Sequence, residues 1–227
     1  MKLKCTTILL GIIIVAICHG CFAEERAESL DRESTASTNS AVNSNHTAVQ
    51  EAESMNEDAF WEIIEHSKEE SDDFAGQIRA LTVKLSRRNR QDIVDFEYRF
   101  REMLEKSCHY NLLAAAKIIL GWVTDDSFLY FQCRLIAEGR STFYQSIENP
   151  DCLAEVDIPN LAFDGEDMLV VADNAFMEKF GRDTDQELPR DVATDYLSYD
   201  FRCEILGEDW EEKDLPQKYP RLWDKYR

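Results

Sequence analysis

Apolar residues along this chain recur at helical spacing and nowhere settle into sustained alternation, so the pattern predicts an all-α protein. Phe60, Trp61 and Ile64 share one face of a first helix whose start Ser54 and Glu57 could cap as a box, with Asn56 as the alternative cap. Phe74, Ile78, Leu81 and Leu85 stand at i, i+4, i+7 and i+11 in a second. Asn89 and Asp92 have capping-box spacing before Ile93, Phe96, Phe100 and Met103. Residues 110–122 are apolar nearly all round, the pattern of a central helix. Thr124 then caps a helix with Asp125 and Asp126 in its first turn, where carboxylates favour the positive helix end. Asn149-Pro150 opens a short helix as cap and first-turn proline. A further helix starts at Asp164, carries Met168, Ala172, Phe176 and Phe180, and stops at Gly181.

The first 53 residues follow another rule. Lys2 and Lys4 precede an uncharged apolar run over residues 8–17, which is signal-peptide length and too short to span a bilayer comfortably. Residues 1–23 therefore read as an export signal with cleavage after Ala23. Gly20-Cys21 alternatively fits a lipoprotein box, with Cys18 and His19 off its pattern, which would lipidate Cys21. Both routes lead out of the cytosol. Residues 24–53 are rich in Glu, Ser, Thr, Ala and Asn and lack core-forming side chains, so they read as a polar tether. Asn45-His46-Thr47 matches a glycosylation sequon, relevant in a eukaryotic host. The organisation is thus leader 1–23, tether 24–53, and one helical domain over 54–227. The acidic, irregular stretch past Gly181 should fold back through Trp210, Tyr219, Leu222, Trp223 and Tyr226, because so many large apolar groups would not stay solvated.

Charge narrows the partners. The chain has 45 acidic against 25 basic side chains, a formal charge of −20. Such a surface repels nucleic-acid phosphates and anionic lipid headgroups. Nucleic acid is excluded as a partner on this ground, and a membrane is reached only through Cys21. Residues 151–200 alone hold 14 acidic and 3 basic groups. Lys84, Arg87, Arg88 and Arg90 form the one concentrated basic patch, read as a solvated helix end facing the acidic segment. Four cysteines lie beyond the leader, Cys108, Cys133, Cys152 and Cys203. Outside the cytosol they could form disulfides in three connectivities, or remain buried thiols. No Cys-x-x-Cys pair suggests a redox dithiol or zinc knuckle.

Several stretches also resemble the bacterial family known as domain of unknown function 4240, over about residues 56–181. They are Glu57-Asp58-Ala59-Phe60-Trp61, residues 93–100, Thr124-Asp125-Asp126 with Phe128, Tyr130-Phe131, Leu135-Ile136 and Gly139-Arg140, then Asn149-Pro150-Asp151 with Leu153-Ala154. Asp214-Leu215-Pro216 and Tyr219-Pro220-Arg221-Leu222-Trp223 are similar to members' C-termini. The sequence departs from the family pattern at Val123, where cysteine is common, at Ser127 for glycine, at Gln132 for arginine and at Arg134 for tryptophan. The resemblance implies a helical module and no established reaction; an activity dependent on the arginine would be lost here.

Catalytic signatures are absent from the sequence: no His-Glu-x-x-His, no phosphate-binding glycine loop, no Gly-x-Ser-x-Gly. Cys108-His109, placed on a helix, would point about 100° apart and give no thiolate–imidazolium pair. Asp125 and Asp126 with Arg134 and Arg140 are the candidates for a polar site, either for acid–base work or for a basic ligand. Asp183-Thr184-Asp185-Gln186-Glu187 suggests calcium, but Leu188 and Thr194 occupy the glycine and glutamate positions of an EF-hand loop. The sequence points to no metal and no cofactor. Three functions remain: an exported non-catalytic module for a protein partner, a hydrolase-like enzyme or small-ligand binder centred on Asp125 and Asp126, or an acidic calcium-dependent surface protein.

Overall fold

A computed structural model describes residues 55–156, 165–182, 185–194 and 204–227. The leader, the tether, Ser54, Cys21, Asn45, Asp164, Asp183-Thr184 and Cys203 lie outside the described residues. Those described are all-α, with one isolated parallel bridge between His109 and Leu206. None of the described helices is long and apolar enough to cross a membrane.

Helix α1 (Glu57–Glu69) is capped by Asn56, whose side chain accepts from the Ala59 N–H at 2.9 Å. Of the two alternatives for this start, Asn56 is thus the cap. Helix α2 (Phe74–Ser86) is capped by Asp73 and α3 (Arg90–Lys106) by Asn89. Their apolar faces meet over a cluster of aromatic rings. Phe60 lies 5.1 Å from both Trp61 and Phe96, and Trp61 lies 5.2 Å from Phe143. Each such side chain contributes about 1.5–3 kcal/mol when fully buried.

Helix α4 (Tyr110–Leu120) ends at Gly121, which takes a left-handed conformation. Its three alanines, Ala114 to Ala116, are buried, but Leu113, Ile119 and Leu120 are only partly covered. The most enclosed element is instead α5 (Asp125–Ala137), buried from Ser127 to Ala137 apart from Tyr130. Hydrophobicity all round does not make α4 central, because neighbours wrap α5 on more sides. One of them, the 3-10 turn Gly165–Val170, comes so close that a Cβ on Gly165 would sit 2.0 Å from the Tyr130 carbonyl oxygen. Only glycine fits there.

Helix α6 (Arg140–Glu148) follows. Pro150–Ala154 forms a 3-10 turn, not an α-helix, and Asn149 makes no side-chain capping bond. The stripe predicted as one helix up to Gly181 is split into the 165–170 turn and α7 (Val171–Phe180). Helix α7 lies along α2, and α8 (Pro189–Thr194) lies along α3. The C-terminal segment does fold back: α9 (Leu215–Lys218) and α10 (Pro220–Tyr226) bury Leu215, Tyr219 and Leu222. Helix α10 packs on α4 and on the 150–154 turn.

The two alternatives for the cysteines divide between residues. Cys133 and Cys152 are free thiols, the first fully enclosed on the inner face of α5. Cys108 is disulfide-bonded. It precedes α4, with His109 as the flanking residue, so the two are not helical neighbours. The Leu206 N–H donates to the Cys108 carbonyl at 2.9 Å and the Tyr110 N–H donates to the Leu206 carbonyl at 2.9 Å, tying the C-terminal segment to this point.

Candidate functional site

A partly exposed cluster of ionisable groups joins the start of α1, the end of α3 and the start of α6. Glu57 stands at its centre because Asn56 starts the helix there and turns the first residues towards α6. The Tyr144 hydroxyl donates to Glu57 Oε1 at 2.6 Å, and Trp61 Nε1 donates to the same oxygen at 3.2 Å. Lys106 Nζ donates to Oε2 at 3.1 Å. Arg140 Nη2 lies 3.7 Å from Oε1, while its Nη1 donates to Asp58 Oδ1 at 2.6 Å.

Arg140 reaches this place because Gly139 takes a positive φ of 99°, where a side chain would be strained. Glu65 Oε1 then accepts from the Arg140 N–H at 3.2 Å, supplying the cap that glycine lacks. One turn further along α1, Lys68 pairs with Glu138 at 2.6 Å. Two stretches that carry the family resemblance, residues 57–61 and 139–140, therefore meet in one seam.

Electrostatics decides what this cluster can do. Foremost the Tyr144 hydrogen bond, and then those from Lys106 and Trp61, hold the Glu57 carboxyl down at about 2 against the opposing effect of burial. Burial and the bond to Glu57 push Tyr144 up. Burial works against the Lys106 cation, but its bonds to Glu57 and Tyr144 outweigh that and leave it raised. The bond to Asp58 raises Arg140. A general acid or base works best when its pKa lies near the operating pH. Every shift here runs away from neutrality, so each group is fixed in one protonation state.

The residues proposed from sequence do not converge. Thr124 and Ser127 form a reciprocal capping box: the Ser127 N–H donates to Thr124 Oγ1 at 3.2 Å and the Thr124 N–H donates to Ser127 Oγ at 2.7 Å. Asp125 and Asp126 are exposed in the first turn of α5. Arg134, nine residues on and so about 13 Å along the axis, is buried at the far end. Its guanidinium lies 4.2 Å from the Phe74 ring and 3.3 Å from Glu138. Arg140 belongs to the Glu57 cluster. Nothing among the described residues joins these four in one pocket.

Sequence reasoning missed the Glu57 cluster, since Tyr144 and Lys106 carry no motif. It also missed a buried charged group behind α3. Arg101 Nε donates to Glu97 Oε1 at 3.0 Å with both side chains 2% exposed. Arg101 Nη2 also donates to the Arg190 carbonyl at 3.2 Å, and Asp173 Oδ2 lies 3.3 Å from Arg190 Nε. Burial raises the Asp173 carboxyl, though the Arg190 N–H and guanidinium oppose it. Helical spacing of four between Glu97 and Arg101 was the available signal, but an exposed pair gives the same one.

The departures from the family pattern are used structurally. Ser127 completes the capping box. Gln132 Nε2 donates to the Leu104 carbonyl at 3.0 Å and to Ser107 Oγ at 2.9 Å, closing the end of α3. Arg134 covers Phe74, and Val123 packs against the core. The cysteine thiols are poor nucleophiles: burial pushes Cys133 well up and Cys152 up. Among the described residues no three His, Cys, Asp or Glu side chains gather as metal ligands. The Asp183-Thr184 half of the calcium candidate lies outside them.

The family model described as a protein of unknown function (DUF4240) matches residues 55–178, which does not extend to the C-terminal stretch 214–223. No curated protein and no solved structure matches the chain.

Proposed function

The chain belongs to the DUF4240 family of proteins of unknown function, and from that premise we propose that it is an exported, non-catalytic helical module that acts by holding a protein partner. The observation that carries this reading is the closed electrostatics of the Glu57 cluster. Glu57 at about 2, with Tyr144, Lys106 and Arg140 all raised, forms a connected set of ion pairs and hydrogen bonds. Such a set fixes surface shape and charge pattern, as recognition requires, and offers no group poised to move a proton.

Export is supported by the leader-like residues 1–23 and by the disulfide at Cys108, since disulfides persist where the compartment is oxidising. The polar composition of residues 24–53 suits a spacer between a cell-surface anchor at Cys21, or a free end, and the domain. The test is capture of partners by the mature chain in the extracytoplasmic fraction, followed by calorimetry with the purified partner. A stoichiometric complex of micromolar or tighter affinity, with no turnover of the partner, supports the module. A substrate turned over by the purified chain and lost on Asp125→Asn, Asp126→Asn or Glu57→Gln overturns it in favour of the enzyme reading. Intact mass of the exported protein should show loss of about 20–23 N-terminal residues; a full-length chain refutes export through this leader.

A further inference from the structure

Away from the Glu57 cluster, at the opposite end of α1, an open notch of about 230 Å³ is lined by Glu62, Ile63, His66, Lys84, Arg87 and Arg88. We propose that this notch binds a phosphate-type dianion, either free or as the headgroup of an ester.

The Arg87 and Arg88 side chains are exposed at the end of α2 and hold no direct hydrogen bond or salt bridge to any described residue, although Arg87 is close enough to Glu70 to stabilise its carboxylate. Exposed arginines gain little from pairing, so in a chain with 45 acidic against 25 basic groups both remain available to an anion. Their position at the negative end of the α2 dipole stabilises them in part. Both line the notch, and each carries the planar fork that recognises two oxygens of one phosphate.

The rest of the wall fits that ligand. Lys84 lines the notch too and pairs with Glu70 at 2.8 Å. His66 and Glu62, one turn apart on α1, form the opposite wall, and His66 offers a ring N–H donor. Ile63 supplies an apolar floor. The volume lies below the roughly 300–1,000 Å³ of a site for drug-sized molecules, which suits a single phosphate group with its water. The acidity of the whole chain does not forbid it, because charges beyond about 8 Å are screened at physiological salt. With Lys84 paired to Glu70, Arg87 and Arg88 outnumber Glu62 among the remaining charges of the lining.

The experiment is titration of the mature chain with inorganic phosphate, followed by NMR of the His66 imidazole and the arginine Nε–H groups. Saturable shifts at these residues are expected, with sodium chloride at matched ionic strength giving none. Arg87→Gln with Arg88→Gln should weaken phosphate at least tenfold; both positions are exposed, and circular dichroism checks that the variant is folded. Sedimentation with phosphatidylcholine vesicles, with and without phosphatidic acid, distinguishes the source: retention on the acidic vesicles assigns a lipid headgroup, and response to free phosphate alone assigns a soluble ligand. Shifts equal to those with chloride and no vesicle binding, or a response unchanged in the double variant, overturn the proposal.

Discussion

Replacing Glu57 by Gln removes one charge and keeps the side-chain shape, so it reads the electrostatic worth of the seam between α1, α3 and α6. The carboxyl sits at about 2 in place of its ordinary 4.5. At full strength that difference corresponds to roughly 3 kcal/mol of stability at neutral pH. The side chain is 31% exposed, so solvent and salt screen it, and about 1–2 kcal/mol is the expected loss. The sign follows from the lowered value. A carboxyl held below its unfolded value stabilises fully above about pH 4.5, and that contribution fades as pH falls towards 2. Urea denaturation of both proteins at pH 7 and pH 3 measures it. The variant should be the less stable at pH 7, and the gap should fall to less than half by pH 3. A variant equally stable at pH 7, or a gap independent of pH, would refute the account of the cluster. Tyr144→Phe in the same cycle should lose most of its own effect once Glu57 is Gln, since the two share one hydrogen bond.

Three further outcomes are expected. Thr124→Ala should cost about 1 kcal/mol by removing one half of the capping box, while Asp125→Asn and Asp126→Asn should each cost less through loss of charge at the helix start; stabilisation by either Asn change would revive a strained carboxylate site. Under native conditions iodoacetamide should modify Cys152 slowly and leave Cys133 untouched, and Cys108 should react only after reduction; rapid labelling of Cys133 would contradict its burial. A chain starting at Ser54 should keep the thermal midpoint of the mature protein, because Met55 is already anchored by Asp95 and Arg99; a drop of several degrees would show that residues 24–53 pack on the domain.

Helices were legible where a local rule sufficed. Asn56, Asn89 and Thr124 each accept from an N–H three residues on, a bond that a short window of sequence can show. Stripes such as Phe74, Ile78, Leu81 and Leu85 are buried as their spacing required. Pro150 misled, since proline at a first turn serves a 3-10 turn as well as an α-helix. The centrality of α4 misled because hydrophobicity records what a face could bury and says nothing of how many neighbours reach it. The candidate site was less legible still. Arg140 was singled out beside Asp125 and Asp126, yet its partners Asp58 and Glu57 lie some eighty residues earlier in the chain.

The same limit explains why the acidity of this chain reads from sequence only as a bar to anionic partners. Part of it serves as capping at long range. Asp95 accepts from the Met55 N–H, Glu65 from that of Arg140, and Asp173 from that of Arg190. Asp151 accepts from both Arg221 and Leu222. Each of these N–H groups opens the domain or lies in the first turn of a helix, where no partner exists within the helix. A carboxylate from another element supplies both the acceptor and the favourable charge. A local cap holds one helix together, whereas these also lock its start onto a neighbour, so one bond stabilises secondary and tertiary structure at once. Asp151 shows the consequence most plainly. It joins two stretches of family resemblance, residues 149–154 and 219–223, that sequence could only set side by side, and it holds the C-terminal helix against the body of the domain.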